Sequence, residues 1–175
     1  AVIFALAGSA IGAKVALHTP DGVIQMIMVF ALPVVAFFVL RKRALDVPAD
    51  ATISTKKQIA IIAISSFFIG MYDGFYGPGT GTFMLLAFTA AKLPVREANG
   101  EVKCANLASN VAALVTFAAN GTVWWGLGLI ASAFAIAGSY VGSGLVVKNG
   151  AKVVRPIMLV VLALLFVKVL YDLVF

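Results

Sequence analysis

The stretch "GMYDGFYGPGTGTF", residues 70–83, places an acid, a proline and five glycines inside an apolar run. Pro78 has no amide proton and disfavours helical geometry at Gly77, while Gly79 and Gly81 permit backbone conformations that other residues rarely adopt. We therefore expect a helix to break here. At membrane depth an irregular backbone persists only where protein or water covers it, so the stretch predicts an enclosed break within a helical bundle.

A second helix is expected to start directly after the break, at "TGTFMLLAF" (80–88), with Thr80 or Thr82 as its N-cap. The free amides at such a helix start form an anion-binding site, which favours an anionic solute. A packed turn without a ligand is the alternative that the sequence leaves open.

The composition indicates that the bilayer is the solvent of this chain. Of its 175 residues 62% are hydrophobic and 11% are charged, and the mean hydropathy is +1.07. Residues 22–40 and 156–175 are each apolar and long enough to cross the hydrocarbon core. The fold class predicted is an all-α, polytopic integral membrane protein.

Seven apolar segments can be drawn along the chain. The third and fourth are too short for comfortable full spans, so we expect them to form a broken, re-entrant hairpin around the glycine-rich loop. The segments are roughly 1–17, 22–40, 58–72, 81–92, 103–118, 124–147 and 154–175.

The 13 basic residues, which give a net charge of +6, lie between the apolar segments rather than over one face. This pattern sets membrane topology and does not indicate a nucleic-acid partner. The basic loops 41–57, 92–103 and 148–155 are predicted to be cytoplasmic, in an inner membrane. The turns 18–22 and 120–122 are then on the opposite side.

An internal repeat aligns "FALAGSAIG" (4–12) with "FAIAGSYVG" (134–142). Small residues with this spacing let helices approach closely. The three small residues that match in register are Gly8, Ser9 and Gly12, with Gly138, Ser139 and Gly142.

The turns that follow the two copies differ in charge, since "HTPDG" is nearly neutral and "KNGAKVVR" is basic. The copies should therefore face opposite sides, as in an inverted-topology repeat. Residues 1–40 are predicted to be the last two helices of an incomplete first repeat, and 41–57 a basic linker. Residues 58–175 are predicted to form a second repeat with the re-entrant hairpin and three transmembrane helices. The comparison predicts that about 70 residues of the first half are truncated or supplied by another chain.

Two polar features lie within these apolar segments. Asp73 is an acid well inside an apolar run, and such a carboxylate relays a proton, holds a cation, caps the broken backbone or pairs with Lys103. Asn99, Lys103, Asn106 and Asn110 follow one helical stripe, with Ser109 beside it. Amides and one ammonium suit an oxyanion, although helix-to-helix hydrogen bonding and snorkelling of Lys103 are alternatives.

Enzyme chemistry has little support in this sequence. The single cysteine, Cys104, excludes an internal disulfide and is too little for a thiolate metal site. Asp73 has no second buried acid, and the single histidine, His18, is remote in a turn. We predict no catalytic site, metal or cofactor.

Three motifs together resemble the second half of the TauE/SafE sulfite exporter family: "GMYDGFYGPGTGTF", "KCANLASNVAALVTF" and "AGSYVGSGLVVKNGAKVVRP". The resemblance implies an inner-membrane permease for sulfite, sulfonate-derived or related organic anions that works by alternating access. The residues that it maps to the site are Asp73, Gly77, Pro78, Gly79, Thr80, Gly81, Lys103, Asn106, Ser109 and Asn110.

These observations predict a secondary anion transporter whose partners are a small anion, the lipid bilayer and a second chain or an N-terminal half. An anion channel, or a structural membrane subunit without transport of its own, is the alternative. The predicted coupling or gating residues are Asp73, Gly77 and Pro78. The predicted substrate ligands are Gly79, Thr80, Gly81, Thr82, Lys103, Asn106, Ser109 and Asn110.

Overall fold

A computed structural model describes residues 1–40 and 54–149, together with 160, 163–164 and 166–171. Most of the basic linker 41–57, most of the loop 148–155 and much of the segment 154–175 lie outside the described residues. The described part is helical and contains no strand, which confirms the predicted all-α class. Its helices are α1 (Val2–His18), α2 (Asp21–Leu40), α3 (Thr55–Phe75), α4 (Thr80–Ala90), α5 (Val95–Ala119) and α6 (Trp125–Asn149).

The described residues form two compact units. The first contains α1, the start of α2, and α3 to α5; the second contains the remainder of α2 and α6. The glycine-rich stretch and all the predicted site residues lie in the first unit.

Two described helices are long and apolar enough to cross a membrane, Thr55–Phe75 and Arg96–Ala119. The prediction that the third apolar segment is too short for a span is therefore wrong. Helix α3 has 21 residues, because it starts before the apolar run, with Lys56 and Lys57 exposed in its first turn, and continues past Asp73. Only α4, with 11 residues, is of half length, so a full helix and a half helix flank the break.

Helices α1 and α3 pack backbone to backbone through two glycine pairs, Gly8 with Gly12 and Gly70 with Gly74. A β carbon added at Gly8 would clash with the carbonyl of Phe67, and one at Gly74 would clash with that of Ser9. This confirms close approach through the small-residue spacing in α1. Ala5 meets Gly70 and Ser9 meets Gly74, so the two helices run in the same direction.

Helix α5 runs parallel to both. Ser9 of α1 meets Ser109 of α5, while residues from the N-terminal halves of the three helices line one shared cavity of about 540 Å³. The starts of α3 and α5 therefore lie at one end of this unit, and His18 and Asn120 lie at the other.

Helix α4 returns along α3 and closes the core of the unit. Its Met84 and Phe88 are fully buried and cluster with Ala98, Val102 and Ala105 of α5. The side-chain amide of Gln58 donates to the carbonyl of Ala91 at 3.0 Å, which ties the end of α4 to the start of α3. The half helix is thus held at both ends.

Large apolar side chains cover the outside of the described helices. Phe30, Leu107 and Ile136 are 72%, 67% and 72% exposed, and Trp124 is 79% exposed beside the turn at 120–122. Such a surface is expected of a protein whose solvent is hydrocarbon, and the tryptophan position suits an interfacial belt.

Candidate functional site

The break between α3 and α4 consists of four residues, from Tyr76 to Gly79. Gly77 has φ 96° and Gly79 has φ 87°, which are left-handed conformations that favour glycine. The predicted interruption is therefore confirmed, and Gly77 and Gly79 are needed because their backbone is left-handed.

The cap of α4 differs from the prediction. Gly79 is the N-cap, with no side-chain capping bond, so the assignment to Thr80 or Thr82 is wrong. The hydroxyl of Thr80 instead donates backwards to the carbonyl of Gly77 at 2.6 Å. The Thr80 hydroxyl thus stabilises the turn before α4 rather than capping the amides at the helix start.

The amides at the start of α4 are only partly free. Those of Thr80 and Thr82 donate to Gly77 and Gly79 carbonyls at 3.2 and 2.9 Å. The backbone bonds of this turn include none donated by the amides of Gly79 or Gly81. Any anion at this helix start would therefore meet the glycine amides first.

Tyr72 fixes the turn from the last full turn of α3. Its hydroxyl donates to the carbonyl of Pro78 at 2.7 Å, and its ring packs edge-on to those of Phe83 and Tyr76. The sequence did not predict this residue, because a tyrosine in an apolar helix does not indicate which carbonyl its hydroxyl will bind.

Asp73 faces the break from the same end of α3. Its carboxylate accepts a hydrogen bond from the Ser109 hydroxyl, and the Thr80 side chain lies within hydrogen-bonding range. A β carbon at Gly77 would be 3.5 Å from one carboxylate oxygen. The suggested pairing with Lys103 is wrong: that side chain is exposed and lies six residues, or about 9 Å of helix rise, before Ser109.

Ser9 connects α1 to this site. Its hydroxyl is fully buried and donates to the carbonyl of Ser109 at 2.5 Å. Ser109 is fully buried as well, and its hydroxyl has the carbonyl of Asn106 as a second acceptor at 3.0 Å. The residue match in the repeat pointed to Ser9 but not to its partner, since the two are 100 residues apart.

The polar stripe of α5 divides between two environments. Ser109 is buried and Asn106 is half-buried, whereas Asn99, Lys103 and Asn110 are exposed. The Asn110 side chain donates to the carbonyl of Asn106 at 2.7 Å. The structure thus brings Ser109 to Asp73 and the glycine turn, and leaves Lys103 and Asn110 on an open face of the unit.

A buried hydroxyl extends the polar side of α3 away from the break. Ser66 is fully buried, and within the described residues its hydroxyl has no hydrogen-bond partner. It precedes Asp73 by seven residues, which places both on one face of the helix. The polar face of α3 therefore extends from Asp73 back to Ser66, beyond the start of the glycine-rich stretch.

The site has two chemically different parts. Oxygen atoms from Asp73, Ser109 and Gly77 suit a proton or a small cation, and the carboxylate repels anions. Nitrogen donors, the glycine amides of the turn and the side-chain amide of Asn106, suit an anion. Within the described residues the structure gives no ion pair for Asp73, so the first part holds an uncompensated carboxylate.

A bundle of apolar helices that encloses a polar helix break is the architecture expected of a polytopic membrane protein. The chain belongs to the sulfite exporter TauE/SafE family, whose sequence model matches residues 1–169. The resemblance inferred from the three motifs is thereby confirmed.

The relatives of this chain carry membrane transporter names. It is 33% identical over 173 residues to "Probable membrane transporter protein ORF9" of Sinorhizobium sp, covering 97% of this chain and 65% of ORF9. It is 37% identical over 105 residues to "Probable membrane transporter protein YfcA" of Escherichia coli K12, covering 59% of this chain and 39% of YfcA. The chain therefore spans less than two thirds of the length of either. No solved structure matches the chain significantly.

Proposed function

We propose that this chain carries one half of a secondary transporter for small sulfur-containing anions, such as sulfite or sulfonate-derived organic anions. The observation that carries the proposal is the helix break at Gly77–Gly79, with the Asp73 carboxylate held against it by Ser109. Breaking a membrane helix and burying a carboxylate are both unfavourable in lipid, and together they mark solute pathways. Family membership and the transporter names of the relatives support the class.

In this proposal the anion binds on the nitrogen-rich side of the break. The amides of Gly79 and Gly81 lie at the start of α4, Asn106 offers a half-buried side-chain amide from α5, and Asn110 offers one from the open face next to Ser109. Hydrogen bonds of this kind compensate an oxyanion without holding it too tightly to leave. The full proposed ligand set is Gly79, Thr80, Gly81, Thr82, Lys103, Asn106, Ser109 and Asn110.

Asp73 is the proposed coupling group, with Gly77 and Pro78 shaping its surroundings. A carboxylate that faces the break repels the anion while it is charged, so protonation or a bound cation favours anion entry. Alternating access then follows if the two repeats expose this site in turn. The parallel packing of α1, α3 and α5 is compatible with the proposed orientation, in an inner membrane with the loops 41–57, 92–103 and 148–155 cytoplasmic.

Counterflow of radiolabelled sulfite in proteoliposomes tests the proposal. Asn110→Leu should abolish exchange, while Asn120→Leu is the matched control. Both asparagines are exposed and each donates at 2.7 Å to the carbonyl four residues earlier, but Asn120 lies at the far end of α5.

Equal exchange by Asn110→Leu and wild type would contradict the proposed ligand set. Uptake without trans-stimulation would identify a channel rather than a carrier. Absence of any sulfite or sulfonate flux from folded protein would contradict the substrate class.

A further inference from the structure

The repeat presents the same helix-contact face twice, and the structure buries one copy and leaves the other open. In α1 the face is covered, and its members Ala5, Gly8, Ser9 and Gly12 are all buried. In α6 the aligned residues Ala135, Gly138 and Ser139 are exposed. Within the described residues, a β carbon built at Gly138 would meet no atom within 4 Å.

The first copy shows what this face recognises. Gly70 and Gly74 of α3 lie against Ala5 and Ser9 with the two helices parallel. The Ser9 hydroxyl reaches past them to a backbone carbonyl of α5. The face therefore packs against a glycine pair on one helix and donates a serine hydrogen bond to a backbone carbonyl of a second helix.

The glycine pair of this chain is already occupied, because α1 covers it. Helix α6 cannot use the same surface of α3 while α1 is bound there. The copy of this face on α6 therefore needs a second helix of the α3 type. The ORF9 relative is long enough to contain one, since the alignment with this chain covers only 65% of it.

We propose that the face of α6 formed by Ala135, Gly138 and Ser139 binds a helix of the α3 type. This partner is the α3 counterpart in the other repeat of a full-length family member. It is an apolar membrane helix with two glycines four residues apart, and it runs parallel to α6. The proposal concerns assembly and does not depend on which solute is transported.

A synthetic peptide with the sequence of residues 55–75 serves as the probe for this partner. The full chain, with Cys104→Ser and an acceptor dye at Trp124→Cys, is placed in lipid nanodiscs with the peptide carrying a donor dye at either end. The α1–α3 register predicts that the start of the peptide lies near residue 124. Energy transfer should be high from the N-terminal dye and low from the C-terminal dye, since 21 helical residues span about 30 Å.

Two glycine variants separate this contact from general crowding in the disc. Gly138→Leu should weaken peptide binding about tenfold, and a peptide with Gly70→Leu and Gly74→Leu should not bind. Gly126→Leu is the matched control: Gly126 is equally open but lies about a third of a turn away around α6, so binding should be unchanged.

The proposal fails if transfer is absent, if the C-terminal dye gives the stronger signal, or if Gly138→Leu binds like wild type. Transfer between two labelled copies of the chain that is lost in Gly138→Leu would assign the face to a homodimer and would also overturn it. Because this experiment measures helix binding, the proposal can fail while anion transport is confirmed. It can likewise hold while the proposed anion transport fails.

Discussion

Asp73 combines two roles that a single substitution can separate, accepting a hydrogen bond and carrying a charge. Its carboxylate accepts from Ser109 and faces the glycine turn, and no lysine or arginine side chain pairs with it within the described residues. An amide at this position can still accept the serine bond. A neutral substitute therefore tests the charge without removing the contact.

We expect Asp73→Asn to remain folded and to catalyse sulfite exchange, but to lose accumulation against a gradient. The reason is that coupling needs a group that gains and loses charge, whereas exchange needs only a bound anion. Uptake is measured in proteoliposomes with and without an imposed proton or sodium gradient. Glu101→Gln, which neutralises an exposed acid on α5, should couple normally. Gradient-driven accumulation by Asp73→Asn would rule out the coupling role.

Tyr72 is expected to stabilise the turn rather than to bind the solute. Tyr72→Phe removes the bond to the Pro78 carbonyl and should lower the free energy of unfolding by about 1 kcal/mol, more if the carbonyl stays unpaired. Tyr76→Phe is the control, because its hydroxyl makes no hydrogen bond to the part of the chain that the structure describes. Unfolding in mixed micelles, followed by tryptophan fluorescence, compares the two. Equal stabilities would show that the Tyr72 bond is dispensable.

At the level of helices, the α1–α3 contact depends on the absence of side chains. A β carbon at Gly74 would clash with the carbonyl of Ser9, whereas one at Gly100 of α5 would meet nothing within 4 Å. Gly74→Ala must therefore push the backbones of α1 and α3 apart, whereas Gly100→Ala only raises the helix propensity of α5. The two identical substitutions should change stability in opposite directions.

We expect Gly74→Ala to lower the free energy of unfolding by about 1–3 kcal/mol through overpacking. Gly100→Ala should raise it by up to about 1 kcal/mol through helix propensity. The same micelle unfolding assay measures both. A neutral Gly74→Ala would mean that α1 and α3 are not in backbone contact.

The sequence predicts some of these elements and not others, for physical reasons. The break was predictable because Pro78 and its flanking glycines act on their own backbone, where local chemistry decides. The length of α3 was not, since Lys56 and Lys57 look like a linker until their helix is seen to extend beyond the apolar run. The N-cap prediction was wrong because the Thr80 hydroxyl can bond either to the amides that follow it or to the Gly77 carbonyl that precedes it. The sequence does not show which of the two it prefers.

The site itself shows the same division. Asp73 and Ser109 were both predicted as site residues. Their contact was not, because the two residues are 36 positions apart and meet only through the packing of α3 against α5. Pairing with Lys103 was one of the roles that the sequence left open for Asp73, but Lys103 is exposed and lies six residues, or about 9 Å of helix rise, before Ser109. Spacing predicts a face of one helix, and only packing tells which neighbour that face meets.

For the whole molecule, the parallel arrangement predicts which termini share a side of the membrane. The starts of α3 and α5 lie at one end of their unit, and His18 and Asn120 at the other. In a Cys104→Ser background, Lys92→Cys should react with an impermeant maleimide only from the cytoplasmic side, and Asn120→Cys only from the opposite side. Spheroplasts and inverted vesicles supply the two directions. Labelling of both from one side would exclude the topology.

The bond between Ser9 and Ser109 also bears on how the protein is made. At ribosomal rates of roughly 5–20 residues per second, the acceptor emerges about 5–20 seconds after the donor, because 100 residues separate them. During that interval α1 is in the bilayer with its glycine face uncovered and its serine turned back on its own helix. Helix α1 must therefore be sheltered by lipid or by the insertion machinery until α3 and α5 arrive, so slow or stalled translation would prolong the exposure of this surface.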